Sequence, residues 1–461
     1  RILGTFMLPS VLLLAQVKAA SITPTAPPLS VDPKIAALEK KSGLKFDDLF
    51  PRQPFFGRTA SGHAWSPSDR YLTYVWNGYD ERAYGDLWLF DKTTGKSVRL
   101  TSPELMARFD KTVPKAIEQK KKDDAELAEA LKKNDLDWRE WRLKKKEEDR
   151  DRKEPLPRYE GVSAAKWSES GDEFAFSFRG DLYRWKVGEP APKRLTRTQD
   201  GESVVEWTKD GQGLVYQRGG AIYRTKFAQG FEEQLTPKLP DGVAYAGASL
   251  SPDGEKLLVN GFKNKPSARK IAYVSYRGRF PEAKTWDRNV SDDLFPDESF
   301  VYLYDLKTAD PADPREDKPW EVWKWAGGKS WQEIAMSSRP WSADSKRIVF
   351  GTWNRDDKAF TLATADIEKR EVKTFYKSSP KGEHTTPGMA DPMFLPDGKI
   401  VALLDNSGYR HAWRLDPSAE GGAPEQLTTG NWEAYPLRVA KDGSRLWVTG
   451  GKDNPAIQQL H

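Results

Sequence analysis

His63, His384, His411 and His461 are the only imidazoles in 461 residues, and cysteine is absent. Without thiols there is no disulfide, no cysteine nucleophile and no thiolate zinc site. Four scattered histidines do not make a histidine-rich metal centre, so neither a metal nor a cofactor is expected. A hydrolase serine on a strand–turn–helix would show Gly-x-Ser-x-Gly. The nearest runs, Gly247-Ala-Ser-Leu-Ser251 and Gly328-Lys-Ser-Trp-Gln332, lack the closing glycine. His-Glu-x-x-His and the phosphate-loop pattern are missing too. The pairs Glu147-Glu148 and Glu232-Glu233 are sequence neighbours, which point apart on a helix or strand and do not converge on one atom. No pair of carboxylates stands out on central strands for glycoside chemistry. His63 precedes a repeat-start tryptophan and His411 lies mid-strand, so both read as packing or hydrogen-bonding groups. His384, in Lys381-Gly-Glu-His-Thr-Thr386, belongs to a loop placed to face a channel. A catalytic centre is not encoded in this chain.

What positions these residues is a repeat. His63-Ala-Trp-Ser-Pro-Ser-Asp-Arg-Tyr-Leu-Thr-Tyr74 gives an apolar entry, a polar turn and an alternating strand, followed by Gly85-Asp-Leu-Trp-Leu-Phe-Asp91 and Ser97-Val-Arg-Leu-Thr101. The same order returns from Ala165, where Gly180-Asp-Leu-Tyr-Arg-Trp185 and Lys193-Arg-Leu-Thr196 follow, and again from Val205-Glu-Trp-Thr-Lys-Asp-Gly211. Further starts are Ser249-Leu-Ser-Pro-Asp-Gly254, Pro340-Trp-Ser-Ala-Asp-Ser345, Met393-Phe-Leu-Pro-Asp-Gly398 and Val439-Ala-Lys-Asp-Gly443. Where nothing intervenes the starts lie about 40 to 55 residues apart, the period of a four-stranded propeller blade. Asp-Gly supplies the hairpin turn, and the bulky residue before it fills the gap between stacked sheets. The expected fold is therefore an all-β propeller of seven or eight four-stranded antiparallel blades. Its blade-packing residues are Trp65, Trp167, Trp207, Trp341, Phe394, Tyr409, His411 and Trp432.

Two segments interrupt the rhythm. Residues 103–157 are dense in helix formers and in both charges, and read as a solvated helical insertion between the first two blades. Residues 263–329 read as an elaborated blade with surface loops. Residues 1–20 run from one arginine through an apolar stretch to Val17-Lys18-Ala19-Ala20, the pattern of a secretory signal, with an uncleaved anchor as the alternative. A linker and short helix occupy 21–45, and the propeller 46–461. An exported, periplasmic or secreted location follows. Aromatic content is 12% with 18 Trp, which suits sheets. The 73 basic and 68 acidic residues give only +5, so no nucleic-acid footprint is expected.

The C-terminal third carries more than a generic blade. Trp353-Asn-Arg-Asp-Asp357 stands before Phe360-Thr-Leu-Ala-Thr-Ala-Asp366. Asp391-Pro-Met-Phe-Leu-Pro-Asp-Gly398 leads into Ser407-Gly-Tyr-Arg-His-Ala-Trp413, then Gln426-Leu-Thr-Thr-Gly-Asn-Trp-Glu433 and Val448-Thr-Gly-Gly-Lys452. This ordered series resembles the dipeptidyl peptidase IV branch of the prolyl oligopeptidase family. The resemblance implies the propeller of an exported serine peptidase that cleaves short peptides. Its α/β-hydrolase domain, with the triad, is expected beyond His461, and a homodimer stays open. It also places His411 among the residues that tie strands together. Arg355, His384, Glu202 and Glu206 are the candidates for meeting substrate in the channel. The branch's glutamate-rich arm would follow a Leu-Thr-x-x-Gly turn, but Leu195-Thr-Arg-Thr-Gln-Asp-Gly201 runs straight into Glu202, so dipeptide release is left open. A stand-alone protein-binding propeller of the TolB type is the alternative reading.

Overall fold

The computed structural model describes residues 40–41, 43, 51–53, 56–228, 230–263, 269–276, 280–288, 297–307, 319–327, 332–354, 358–378, 391–419, 423–440, 442–454 and 458–461. The chain divides into two units, Arg1–Gly57 and Arg58–His461. In the first, Lys40 and Lys41 are helical; the signal segment lies outside the described residues. No helix among the described residues is long and apolar enough to cross a membrane.

The second unit is a seven-bladed β-propeller, and every strand pairs antiparallel to its sequence neighbour within a blade. Blade one runs through Ser61–Trp65, Tyr71–Trp76, Asp86–Asp91 and Lys96–Arg99; blade two through Lys166–Trp167, Glu173–Phe178, Asp181–Lys186 and Lys193–Arg194. Blade three has Glu202–Trp207, Gly213–Arg218, Ala221–Lys226 and Phe231–Gln234. Blade four has Val243–Leu250, Lys256–Lys263, Glu298–Asp305 and Trp320–Trp325; blade five Gln332–Trp341, Arg347–Asn354, Ala359–Asp366 and Glu371–Lys377. Blade six has Met393–Phe394, Ile400–Leu404, His411–Leu415 and Glu425–Gln426. Three strands of blade seven are described, Tyr435–Val439, Leu446–Gly450 and Gln459–Leu460. First strands neighbour one another from blade one through blade four, and again between blades five and six, which makes them the innermost.

The second strand of each blade explains why the blades stack. Successive side chains on a strand point to opposite faces, and in blades two to six both faces of this strand are covered. Leu257 and Val259 pack towards blade three while Leu258 packs towards blade five. Val401 and Leu403 turn to blade seven, Ala402 and Leu404 to blade five. An unbroken apolar run such as Ile400–Leu404 is what such a doubly covered strand requires. Each large side chain buried this way contributes about 1.5–3 kcal/mol. Among the described residues no apolar cluster joins blade seven to blade one, and Trp65 is 49% exposed on that side.

One turn recurs where the first strand passes to the second. In blades one to five a buried hydroxyl residue, Ser66, Ser168, Thr208, Ser251 or Ser342, accepts or donates across it. Three residues further on the backbone is left-handed, at Asp69, Gly171, Gly211, Gly254 and Ser345; blades six and seven repeat this at Gly398 and Gly443. Only glycine adopts that region without strain. A second recurring link uses the closing Leu-Thr motif. Thr101, Thr196, Thr236 and Thr428 accept the backbone N–H at the start of their blade's third strand, from Leu87, Leu182, Ile222 and Ala412 at 2.8–3.0 Å.

Helices α1 (Pro103–Met106), α2 (Val113–Leu131) and α3 (Asp135–Asp151) fill the segment between blades one and two. Ser102 caps α1 by accepting from Leu105 N at 3.2 Å, and Asn134 caps α3 by accepting from Asp137 N at 3.0 Å. The base is welded to the ring: Met106, Val113 and Ala116 are buried with Phe176 and Tyr183. Tyr159 donates to the buried Asp86 at 2.6 Å, and burial together with Asp86 pushes its hydroxyl pKa up, which keeps it a donor. A separate two-stranded hairpin, Lys270–Ser275 with Glu282–Asp287, rises between the second and third strands of blade four.

The turn chemistry makes a stability prediction. Gly211 (φ +66°) has open space around its α-carbon, so Gly211→Ala should cost about 1–2 kcal/mol from backbone strain alone. Asp69→Gly at the equivalent position should be neutral or stabilising. Urea unfolding checks both; equal stability of parent and Gly211→Ala would contradict the turn assignment.

Candidate functional site at the innermost strands

In blades two and three the tryptophan that ends the first strand ties its blade to the preceding one. Trp167 Nε1 donates to the Ala64 carbonyl at 2.9 Å, and Trp207 Nε1 to that of Lys166 at 2.7 Å. Blade four has Leu250 at this place, with no indole N–H to give. The link is made differently: Glu206 Oε2 of blade three accepts the Leu250 backbone N–H at 3.2 Å. In blade five Trp341 is half-buried, with Nε1 out of water and without a hydrogen-bond partner among the described residues. Phe394 lies half-buried beneath the Arg347 guanidinium, 5.2 Å from the ring centroid. Trp432 is buried and donates to the Thr429 carbonyl at 2.9 Å, whereas Tyr409 is exposed on a turn of blade six.

The same inner strands carry charge. Glu206 is open to solvent yet has protein packed closely around it; that crowding pushes its carboxyl up, while the Leu250 N–H and Lys166 pull the other way. On the other side of the ring Asp391, just before the first strand of blade six, is partly buried. Burial raises its pKa too, and Arg438 of blade seven, 4.0 Å away, then a backbone hydrogen bond from Ser338 and the charge of Arg339 oppose the rise. Lys166 and Glu206, and Arg339, Asp391 and Arg438, thus set alternating charges on neighbouring innermost strands. Such a surface suits the termini and polar backbone of a peptide. Among the described residues no cluster of His, Asp and Glu is placed to hold a metal ion.

Glu202, four residues before Glu206 on the same strand, has a different place. Its side chain has no exposed surface and accepts from Thr198 Oγ1 at 3.1 Å and Arg218 Nη1 at 3.3 Å, with Thr196 also donating to it. Arg218 pairs onward to Glu232 and lies 4.3 Å from the Tyr223 ring centroid. Glu202 is therefore occupied by neighbours at the seam of blades two and three. Arg355 and His384 lie outside the described residues. Sequence reading did not single out Lys166, Arg339, Asp391 or Arg438; the available signal is a charged residue at the start or end of a first strand.

His411 is fully buried. Its Nε2 lies 2.9 Å from the Gly430 carbonyl, which can only accept, so Nε2 carries the hydrogen. Thr428 Oγ1 already accepts the Ala412 N–H and donates to Nδ1 at 3.0 Å. Trp432 packs edge-on at 5.2 Å. Both nitrogens are committed, and the imidazole joins the third strand of blade six to the loop entering blade seven. His63 stacks on Tyr74 at 6.3 Å in blade one.

Residues 301–461 match the family model described as "Dipeptidyl peptidase IV (DPP IV) N-terminal region". Among solved structures, Porphyromonas gingivalis dipeptidyl peptidase 4 is similar with a TM-score of 0.51 and 15% identity, over 92% of this chain and 53% of that one. A putative dipeptidyl aminopeptidase IV from Bacteroides ovatus gives 0.47 and 14%, over 87% and 51%. TolB from Acinetobacter baumannii gives 0.35 and 17%, over 71% and 56%. No curated protein matches. The class is a β-propeller of four-stranded blades. Residues 301–461 are thus similar to the N-terminal region of dipeptidyl peptidase IV, and the chain spans about half the length of the two peptidase chains it resembles.

Two variants test the roles assigned here. His411→Ala leaves the Gly430 carbonyl unpaired beside a cavity and should cost about 2–4 kcal/mol in urea unfolding; a loss within error of zero would contradict the structural role. For Glu206 the sign is the reverse of a salt-bridged carboxylate. A raised acid binds its proton more tightly in the folded chain, so its ionised form lowers stability above the folded-state pKa. That cost fades as pH falls below the usual carboxylate range. Glu206→Gln should therefore melt higher than the parent near neutral pH, with the difference closing by about pH 4. A difference independent of pH would remove the charge explanation.

Proposed function

We propose that this propeller is the non-catalytic, substrate-gating part of an exported serine peptidase that hydrolyses short peptides. The observation that carries the reading is the match of residues 301–461 to the dipeptidyl peptidase IV N-terminal region. The seven-bladed ring supports it, because a channel between blades admits flexible peptides and excludes folded proteins. The triad belongs to an α/β-hydrolase domain of the same polypeptide, following the propeller. Glu206 and Arg438, exposed charges on the inner strands, and Asp391, partly buried beside Arg438, are the peptide contacts of this reading. Arg355 and His384 stay candidates on sequence grounds. Glu202 holds the blades that shape the channel. The apolar segment within residues 1–20 and its small residues support export, and a homodimer is compatible with the reading.

Reading the gene through its 3′ end and purifying the full product gives the test. A fluorophosphonate probe should label one serine C-terminal to His461, and short peptides should be cleaved while a folded protein of the same composition is not. Absence of labelling, with a stable protein partner recovered instead, would replace the peptidase by a stand-alone binding propeller. In the active product Asp391→Asn should raise KM for charged short peptides several-fold with little change in kcat. That pattern is what loss of uniform binding produces; an unchanged KM removes Asp391 from the site.

A further inference from the structure

The first strands are not regular. Their pairing with the second strand slips in blades one, three, four, five and seven. In blades three and four a single residue is extra, Val205 and Ala246. Blade five has the widest slip: Met336 faces Phe350 and Trp341 faces Ile348, so Ser337 to Pro340 stand against Val349 alone. A bulge takes backbone groups out of the ladder and re-aims the side chains it carries. This one is held at both ends. Ser337 is buried and its Oγ accepts the Arg339 N–H at 3.0 Å, and Pro340 is buried as well. Between them Ser338 and Arg339 are exposed. In blade seven the slip lies between Tyr435 and Arg438, and the Arg438 side chain is 58% exposed.

Asp391, just before Met393 opens blade six, stands between the two arginines. Arg438 Nη1 is 4.0 Å from its Oδ2, the Ser338 N–H of the bulge donates to it, and the Arg339 charge acts on it. Two guanidinium groups brought near one place repel each other. The carboxylate between them offsets that repulsion and keeps both beside the same spot. Each guanidinium is a planar fork of five N–H donors, which contact with one carboxylate does not exhaust. A further carboxylate matches this arrangement in charge and shape, because it is planar and accepts two parallel N–H bonds from one fork. Lysines at these positions would offer point charges without that geometry.

We propose that Arg339 and Arg438 form a carboxylate-binding subsite on the first strands of blades five and seven, positioned by Asp391. It takes the C-terminal carboxylate of a short peptide or an acidic side chain along it. That the ligand is a peptide rests on the peptidase reading above; the carboxylate chemistry does not. A group held away from the bond being cut is bound alike in the ground and transition states, so the subsite acts on KM and leaves kcat.

The test uses the full-length product and short alanine peptides of increasing length, each made as the free acid and as the C-terminal amide. A third set is amidated and carries an aspartate along the chain. Binding is read by the anisotropy of a fluorophore on a central lysine, with any serine that a fluorophosphonate labels changed to alanine. Cleavage is read on the unmodified product. At the length that reaches the subsite the acid should bind about tenfold more tightly than the amide, the scale of one hydrogen bond between charged groups. KM should follow the same ratio. Aspartate peptides that recover the loss assign the subsite to side chains, and aspartate peptides that bind like plain amides assign it to the terminus. Arg339→Gln and Arg438→Gln should each erase the preference, and Arg438→Lys should keep part of it. Equal binding of all three sets at every length overturns the proposal, and so does a preference that survives either glutamine substitution. The comparison among peptides needs no variant, so a variant that fails to fold does not shield the proposal. Cleavage of acids and amides alike leaves the peptidase and removes the subsite; carboxylate-dependent binding without cleavage does the reverse.

Discussion

A four-stranded sheet that is apolar on both faces has no stable existence alone. In this chain the second strand of a blade, typified by Leu257-Leu258-Val259 and Ile400–Leu404, alternates its side chains between two neighbouring sheets. Everything else follows from the need to cover both sides at once. The bulky residue closing the first strand fills the gap, the left-handed turn returns the chain tightly enough for the next sheet to approach, and the closing threonine satisfies an N–H that stacking would otherwise strand.

The linkages are not identical from blade to blade, and the differences are informative. Where the first strand ends in tryptophan, an indole N–H reaches the preceding blade; where it ends in Leu250, the carboxylate of Glu206 reaches forward instead. The same constraint has two chemical solutions, and the second leaves a crowded carboxylate among the inner strands. A packing device and a candidate peptide contact are here one residue. His411 shows the opposite outcome, with a reactive type of side chain wholly consumed by structure.

Much of the fold was legible because it rests on local rules. Asp-Gly turns, Leu-Thr endings and apolar runs each state their geometry within a few residues, and the helix formers between Pro103 and Pro157 announced the insertion. The inner charges were less legible. Glu202 and Glu206 belong to one strand and looked alike as candidates, yet one is sealed by Arg218 and the other is open. That difference comes from the paired strand, the loop leaving blade two and a shift in pairing between the two glutamates, and is invisible in the strand's own sequence. Trp65 and Trp167 share a motif position but not a fate, since only Trp167 has a described blade against it. The hairpin at Lys270–Asp287 lay inside a stretch that read as an elaborated blade, because its alternation is diluted by lysine, threonine and alanine.

Amide hydrogen exchange under native conditions tests the double-covered strand most directly. Slowest exchange should fall in the second strands, Gly213–Arg218, Lys256–Lys263, Arg347–Asn354 and Ile400–Leu404, with the fourth strands Lys96–Arg99 and Glu371–Lys377 opening first. If the fourth strands were the last to exchange, or all strands exchanged alike, cohesion would not come from sheets stacked face to face.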